Sequence, residues 1–197
     1  MYHDGNRFFQ DRFDTRRLAD RLEERLVLDA IDEEDKRFIE ARDMFFLATV
    51  DDAGLPNCSY KGGDPGFVRV VDERTIAFPN YDGNGMYLSM GNLRRNPNVG
   101  MLFIDWQEPT RLRLNGEARI ELDDPLLAAY PEAQFIVRVA VRELFPNCGR
   151  YIHTMKLVER SRFVPHADTA TPIPDWKRRD FAKDVLAAHD PANAKQT

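Results

Sequence analysis

Cysteine is nearly missing from this 197-residue chain, with only Cys58 and Cys148 present. Two thiols cannot build a disulfide framework. The fold must therefore rest on an apolar core, and a reducing cytoplasm is the expected compartment. Histidine is scarce as well. His3, His153, His166 and His189 are far apart and show no zinc-binding spacing. Long apolar runs are absent: the longest, residues 45–50 and 99–104, are about a third of the ~20 residues a membrane helix needs. The opening residues, Met1-Tyr2-His3-Asp4-Gly5-Asn6-Arg7, are polar and contain no apolar signal core. There is no excess of positive charge either. The 28 basic residues are outnumbered by 33 acidic ones, so the footprint expected of a nucleic-acid binder is lacking.

What is present suffices for a packed domain, since apolar residues make up 43% of the chain and aromatics 11%. Residues 15–29 predict an amphipathic helix, with Leu18, Leu22 and Leu26 four apart on one side. Asp32 predicts the N-cap of a second helix, whose first turn carries Glu33, Glu34 and Asp35. From residue 45 the pattern shortens to strands at 45–50, 56–60, 67–71, 75–78 and 99–104. Residues 111–120 alternate strictly, with Leu112, Leu114, Gly116, Ala118 and Ile120 on one face and Arg111, Arg113, Asn115, Glu117 and Arg119 on the other. Phe135, Val137, Val139 and Val141 alternate in the same way. Short helices are expected at 86–95 and 149–154, a last strand at 157–164, and a helix at 176–188. Six to eight short strands with few helices between them predict a mainly β antiparallel barrel with peripheral helices. The expected organisation is a helical extension at 1–34, the barrel domain at 35–165 and a polar C-terminal extension at 166–197.

Side-chain catalysis has little to build on. There is no G-x-G-x-x-G after a strand, no Walker A loop and no G-x-S-x-G elbow. The acidic pairs Asp51-Asp52 and Asp123-Asp124 sit where turns or caps are expected. An enzyme of this composition would take its reactive group from a cofactor. Two glycine-rich loops, 61–66 and 79–85, flank a hairpin. Either they are plain connections, or their backbone N–H groups hold an anion together with Lys61, Arg69 and Asn84. The arginine row leaves a similar choice between a solvated face and an Arg113 that grips a phosphate or carboxylate. Trp106 and Tyr81 are packing caps or rings stacked on a ligand.

The ordered series of segments resembles the pyridoxamine 5′-phosphate oxidase-like flavin-binding family. It runs from Phe46-Leu47-Ala48-Thr49-Val50 with Asp52-Ala53-Gly54-Leu55-Pro56, through Lys61-Gly62-Gly63-Asp64-Pro65-Gly66-Phe67-Val68-Arg69-Val70, to Ile76-Ala77-Phe78-Pro79-Asn80 and Gly83-Asn84. It continues with Asn92-Leu93, Asn96-Pro97-Asn98-Val99-Gly100-Met101-Leu102-Phe103 and Leu112-Arg113-Leu114-Asn115-Gly116. The resemblance spans residues 35–165. It implies a six-stranded antiparallel split β-barrel and a homodimer with FMN in clefts between the subunits. By position, the cofactor-binding candidates it implies are Lys61, Arg69, Pro79, Asn80, Asn84 and Arg113, with Val68 and Val70 lining the flavin. The implied activity is an FMN-dependent oxidoreductase acting on a small-molecule substrate or electron donor. Pyridoxamine phosphate itself is not the expected substrate. The Tyr-Thr-Asn and Ser-Arg-Lys elements of the true oxidases read Phe78-Pro79-Asn80 and Gly83-Asn84-Gly85 here. The alternative is a non-catalytic dimer carrying FMN, haem, pyridoxal phosphate or a deazaflavin, with His153 as the candidate haem ligand. The stretch Phe145-Pro146-Asn147-Cys148-Gly149-Arg150-Tyr151-Ile152 reads as a subgroup hallmark that caps the cleft.

Overall fold

A computed structural model describes residues 1–193. The chain divides into two compact units, Met1–Val158 and Glu159–Thr197. The first opens with helices α1 (Asp4–Arg12), α2 (Arg16–Leu26) and α3 (Glu33–Glu40). Strands β1 (Met44–Val50), β2 (Pro56–Gly62), β3 (Arg69–Asp72) and β4 (Thr75–Asn80) follow, then helix α4 (Leu88–Arg95). Strands β5 (Asn98–Asp105), β6 (Thr110–Glu121) and β7 (Phe135–Asn147) complete one antiparallel sheet of seven strands, ordered β2-β1-β5-β6-β7-β4-β3.

The fold is thus mainly β and of the split-barrel kind. It has one strand more than the six expected, and the sheet does not close: β2 and β3 remain its two edges. Helix α3 covers part of the split. Asp32 caps it by accepting the N–H groups of Glu34 and Asp35, each at 2.8 Å. At its other end Glu40 accepts the Val70 N–H through Oε1 at 3.0 Å, and its carbonyl takes the Gly66 N–H at 2.7 Å. Backbone groups that an edge would leave unpaired are met in this way.

Inside the curl, Phe45 is the hub of an aromatic core. Its ring lies 5.0 Å from Phe78, 5.4 Å from Phe103 and 5.8 Å from Phe67, in edge-on and offset arrangements. The alternation in β6 is realised, with Leu112, Leu114, Gly116 and Ala118 buried. Gly116 sits at a break in the β6–β7 register, where a Cβ would lie 2.2 Å from the Ala140 carbonyl oxygen. Backbone crowding is what requires glycine there.

Several local expectations differ from the structure. Helix α1 forms where the sequence pattern predicts no helix; it is tied to α2 by ion pairs such as Arg7–Asp20 at 2.6 Å rather than by burial. Residues 149–154 form a turn, not a helix. Residues 157–164 form no strand, since both sides of that segment are exposed and no partner strand among the described residues pairs with it. In the second unit, residues 176–188 give only a 3-10 turn over Asp175–Arg178 and further single turns. Phe181 and Val185 stay exposed, and so short a helix without a buried face is marginal in water. That unit contains a buried ion pair, Lys177–Asp190, at 2.7 Å.

Candidate functional site

Edge strand β2 is unusual in carrying polar residues on its inward side. Lys61 pairs with Phe45, Ser59 with Leu47 and Asn57 with Thr49, so these three polar residues share the face that elsewhere forms the core. They line the mouth of the split, where α4 docks. The Ser59 and Ser89 hydroxyls lie 3.0 Å apart, and the Asn92 amide donates to the Thr49 hydroxyl at 3.1 Å. The N-cap of α4 is Tyr87, held at φ 49° in the left-handed region with no side-chain capping bond. The first-turn N–H groups of α4 are therefore uncapped beside two hydroxyls.

Lys61 stands two positions along β2 from Ser59. It is half-buried and makes no ion pair or hydrogen bond among the described residues. Burial pushes its ammonium pKa down. An anion at this mouth would meet the ammonium, the serine hydroxyls and the start of α4, a donor set suited to a phosphate monoester.

The loop between β4 and α4 is anchored at both ends through Gln134. Its side-chain oxygen accepts the Asn80 amide at 2.9 Å and the Tyr87 hydroxyl at 3.0 Å, while its N–H donates to the Asn80 carbonyl at 2.8 Å. Asn84 is exposed and caps the Met86 N–H at 3.0 Å. Sequence reasoning missed Gln134, Tyr87, Ser59 and Ser89. Only the register of β2 against β1 and the fold of the 81–87 loop bring them here.

The other candidates lie elsewhere. Val68 is in the core, and Val70 packs against it. Pro79 is buried opposite Ile136, a place open to proline because β3 pairs with β4 no further than Ala77. Arg69 shares the outward row of Ala77 and Arg138, and its guanidinium covers the Tyr130 ring at 5.0 Å. Tyr130 and Tyr81 are both raised in pKa by burial, Tyr81 to about 12. Arg113 is exposed on the outward sheet face in the row Tyr60, Phe46, Leu102, Arg113, Phe145, with its guanidinium 5.6 Å from the Phe145 ring centre. Lys61 and Arg113 thus point to opposite faces of one sheet. His153 is exposed and lies outside any helix or strand, and no cluster of three His, Cys, Asp or Glu suited to a metal occurs among the described residues. No helix among them is long and apolar enough to cross a membrane.

The chain is similar to several solved structures. One is HupZ of Group A Streptococcus, at 16% identity over 64% of this chain and 99% of that one, with a TM-score of 0.48. Another is an FMN-binding protein of Syntrophomonas wolfei, at 13% identity over 71% and 97%, with a TM-score of 0.46. A third is HutZ, the haem storage protein of Vibrio cholerae, at 23% identity over 58% and 93%, with a TM-score of 0.44. No curated protein shows significant similarity to it. The family model described as pyridoxamine 5′-phosphate oxidase matches residues 31–149, the span that contains the whole sheet and both walls of the split, and the chain belongs to that family.

Proposed function

We propose that this protein binds FMN as a homodimer and serves as an FMN-dependent oxidoreductase for a small molecule other than pyridoxamine phosphate. The observation that carries the reading is Lys61, a half-buried cation without a partner at a mouth lined by Ser59, Ser89 and the uncapped start of α4. A dianionic phosphate restores what burial takes from the ammonium, and the N–H groups of α4 add a favourable dipole. FMN, when bound, supplies the hydride- and electron-accepting ring.

The chain's own residues bind and orient. Lys61 and the first turn of α4 hold the phosphate end. The Asn80–Gln134–Tyr87 ties fix the loop that borders it, so little ordering entropy is lost when the ligand arrives. The outward face with Tyr60, Phe46, Leu102 and Phe145 is apolar enough to be covered by a second copy.

The test is a titration of the purified protein with FMN, followed by flavin fluorescence and visible absorbance. Saturable binding that is lost in Lys61→Ala supports the reading. A protein that takes up no FMN refutes it. Reduction of the bound flavin by NADH or NADPH then separates turnover from simple carriage.

A further inference from the structure

We propose that the N-terminal helical arm of one copy, α1 and α2, lies across the outward sheet face of a second copy, with Leu18, Leu22 and Leu26 set on its Tyr60–Phe46–Leu102 row. This placement rests on the homodimer argued above and needs no flavin.

Nothing within one chain holds the arm by burial. Helices α1 and α2 have 9 and 11 residues, and neither has a buried residue. Isolated helices this short are marginal in water, and in proteins the packing of an apolar side holds them. The contacts that join these two are polar. They include Arg7–Asp20 at 2.6 Å, the Met1 ammonium with Glu23 at 3.0 Å, and the Tyr2 hydroxyl donating to the Ala19 carbonyl at 3.1 Å. Surface ion pairs of this kind contribute little. They also use the side of α2 that carries Ala19, Asp20 and Glu23, and so leave Leu18, Leu22 and Leu26 uncovered, at 58%, 43% and 40% exposure. The root of the arm is firm. Leu28 and Leu144 exchange N–H to carbonyl bonds at 2.9 and 2.8 Å, one residue from Phe145, where the outward row ends.

That row is a second uncovered apolar face of the same chain. Tyr60 is mostly exposed, and Phe46, Leu102 and Phe145 are half-buried. The neighbouring row, Cys58–Ala48–Gly100, has only small side chains, which lets a helix settle beside the larger ones. Within one chain α2 does not cover this face, since none of its residues is buried. The dimensions match: Leu18 to Leu26 spans about 12 Å of helix, and the strands β2, β1 and β5 span about 10 Å. Leucines spaced only by four drift around the helix and form no alternating three-and-four seam for a second α2. A helix stripe and a sheet face bury one another in layered domains. A two-fold pair lets each arm cover the other copy's sheet, so both faces are met at once. The three leucines at roughly 80 Å² each, with about 250 Å² from the row, offer on the order of 500 Å² of apolar surface per copy. A standard interface of about 800 Å² per partner, ~57% non-polar, needs about 450 Å².

The test uses the full-length protein carrying Cys148→Ser, which leaves Cys58 as the only native thiol, and Arg21→Cys, an exposed position beside the leucine stripe. A short bismaleimide is added, and the products are read by denaturing gel and peptide mass spectrometry. The expected product is a covalent pair of chains joined from position 21 of one to Cys58 of the other. A 21-to-58 link within a single chain, a link between the two positions 21, or no link overturns the proposal. In a second variant, Leu18→Glu with Leu22→Glu, both changes are at exposed positions, and light scattering should give half the mass of the parent. A mass equal to the parent's overturns the proposal. A parent that is already a single chain removes the homodimer itself, whereas a parent pair without the 21-to-58 link removes only the placement of the arm.

Discussion

Lys61 shows how a single residue can be set against stability. Its ammonium is partly desolvated with no counter-charge, so the folded chain holds that proton less tightly than the unfolded chain does. The cost is present in full at neutral pH and fades as pH rises through the lowered folded pKa toward the ordinary 10.5. Lys61→Met should therefore raise the melting temperature of the FMN-free protein while weakening FMN binding by about 1.5–3 kcal/mol, the scale of a charge-assisted hydrogen bond. A variant with unchanged FMN affinity would show that the wrong cation has been chosen. Asp124 has the opposite sign. Arg138 donates to it at 2.6 Å and holds its carboxyl below the usual 3.8, and it also caps the turn after β6 through the Leu126 N–H at 2.8 Å. Its contribution is complete above pH 4 or so and is lost as pH falls through the lowered value. Asp124→Ala should cost about 3 kcal/mol in urea unfolding at neutral pH, because it leaves the largely buried Arg138 without its partner. A loss too small to measure would deny that the pair matters.

Among the elements, the β6–β7 pair carries the sheet, and its tightest point is Gly116. Gly116→Ala should destabilise the protein by about 1–3 kcal/mol, because the added methyl meets backbone rather than a side chain that can move. A thermal or denaturant midpoint matching the parent would contradict that. The same strands explain what the sequence made legible. Period-2 alternation survived folding from Leu112 to Ala118 in β6 and from Val137 to Val141 in β7, because one side is buried there and a one-residue slip would turn it outward. The Asp32 cap was legible because capping is local. The tail was not: its apolar residues could have formed a helix, but Phe181 and Val185 stay exposed and, of the apolar residues at 176–188, only Ala182 is buried. The candidate site was half legible. Lys61 and the 79–85 loop could be picked out from residue type. That Lys61 faces inward while Arg113 faces outward depends on a pairing register across several strands, which no local pattern encodes.

For the whole molecule, the outward sheet face decides whether a complete cleft can exist. Tyr60 is 62% exposed there, beside half-buried Phe46 and Leu102. An apolar patch of this kind is the ordinary mark of an association surface. Tyr60→Glu should give a folded monomer by light scattering that no longer retains FMN; a dimer that persists would move the interface elsewhere. The most direct test of the central claim is native mass spectrometry of the full-length protein incubated with FMN. The expected species is a pair of chains carrying one flavin per chain. A lone chain with no flavin attached would contradict the account.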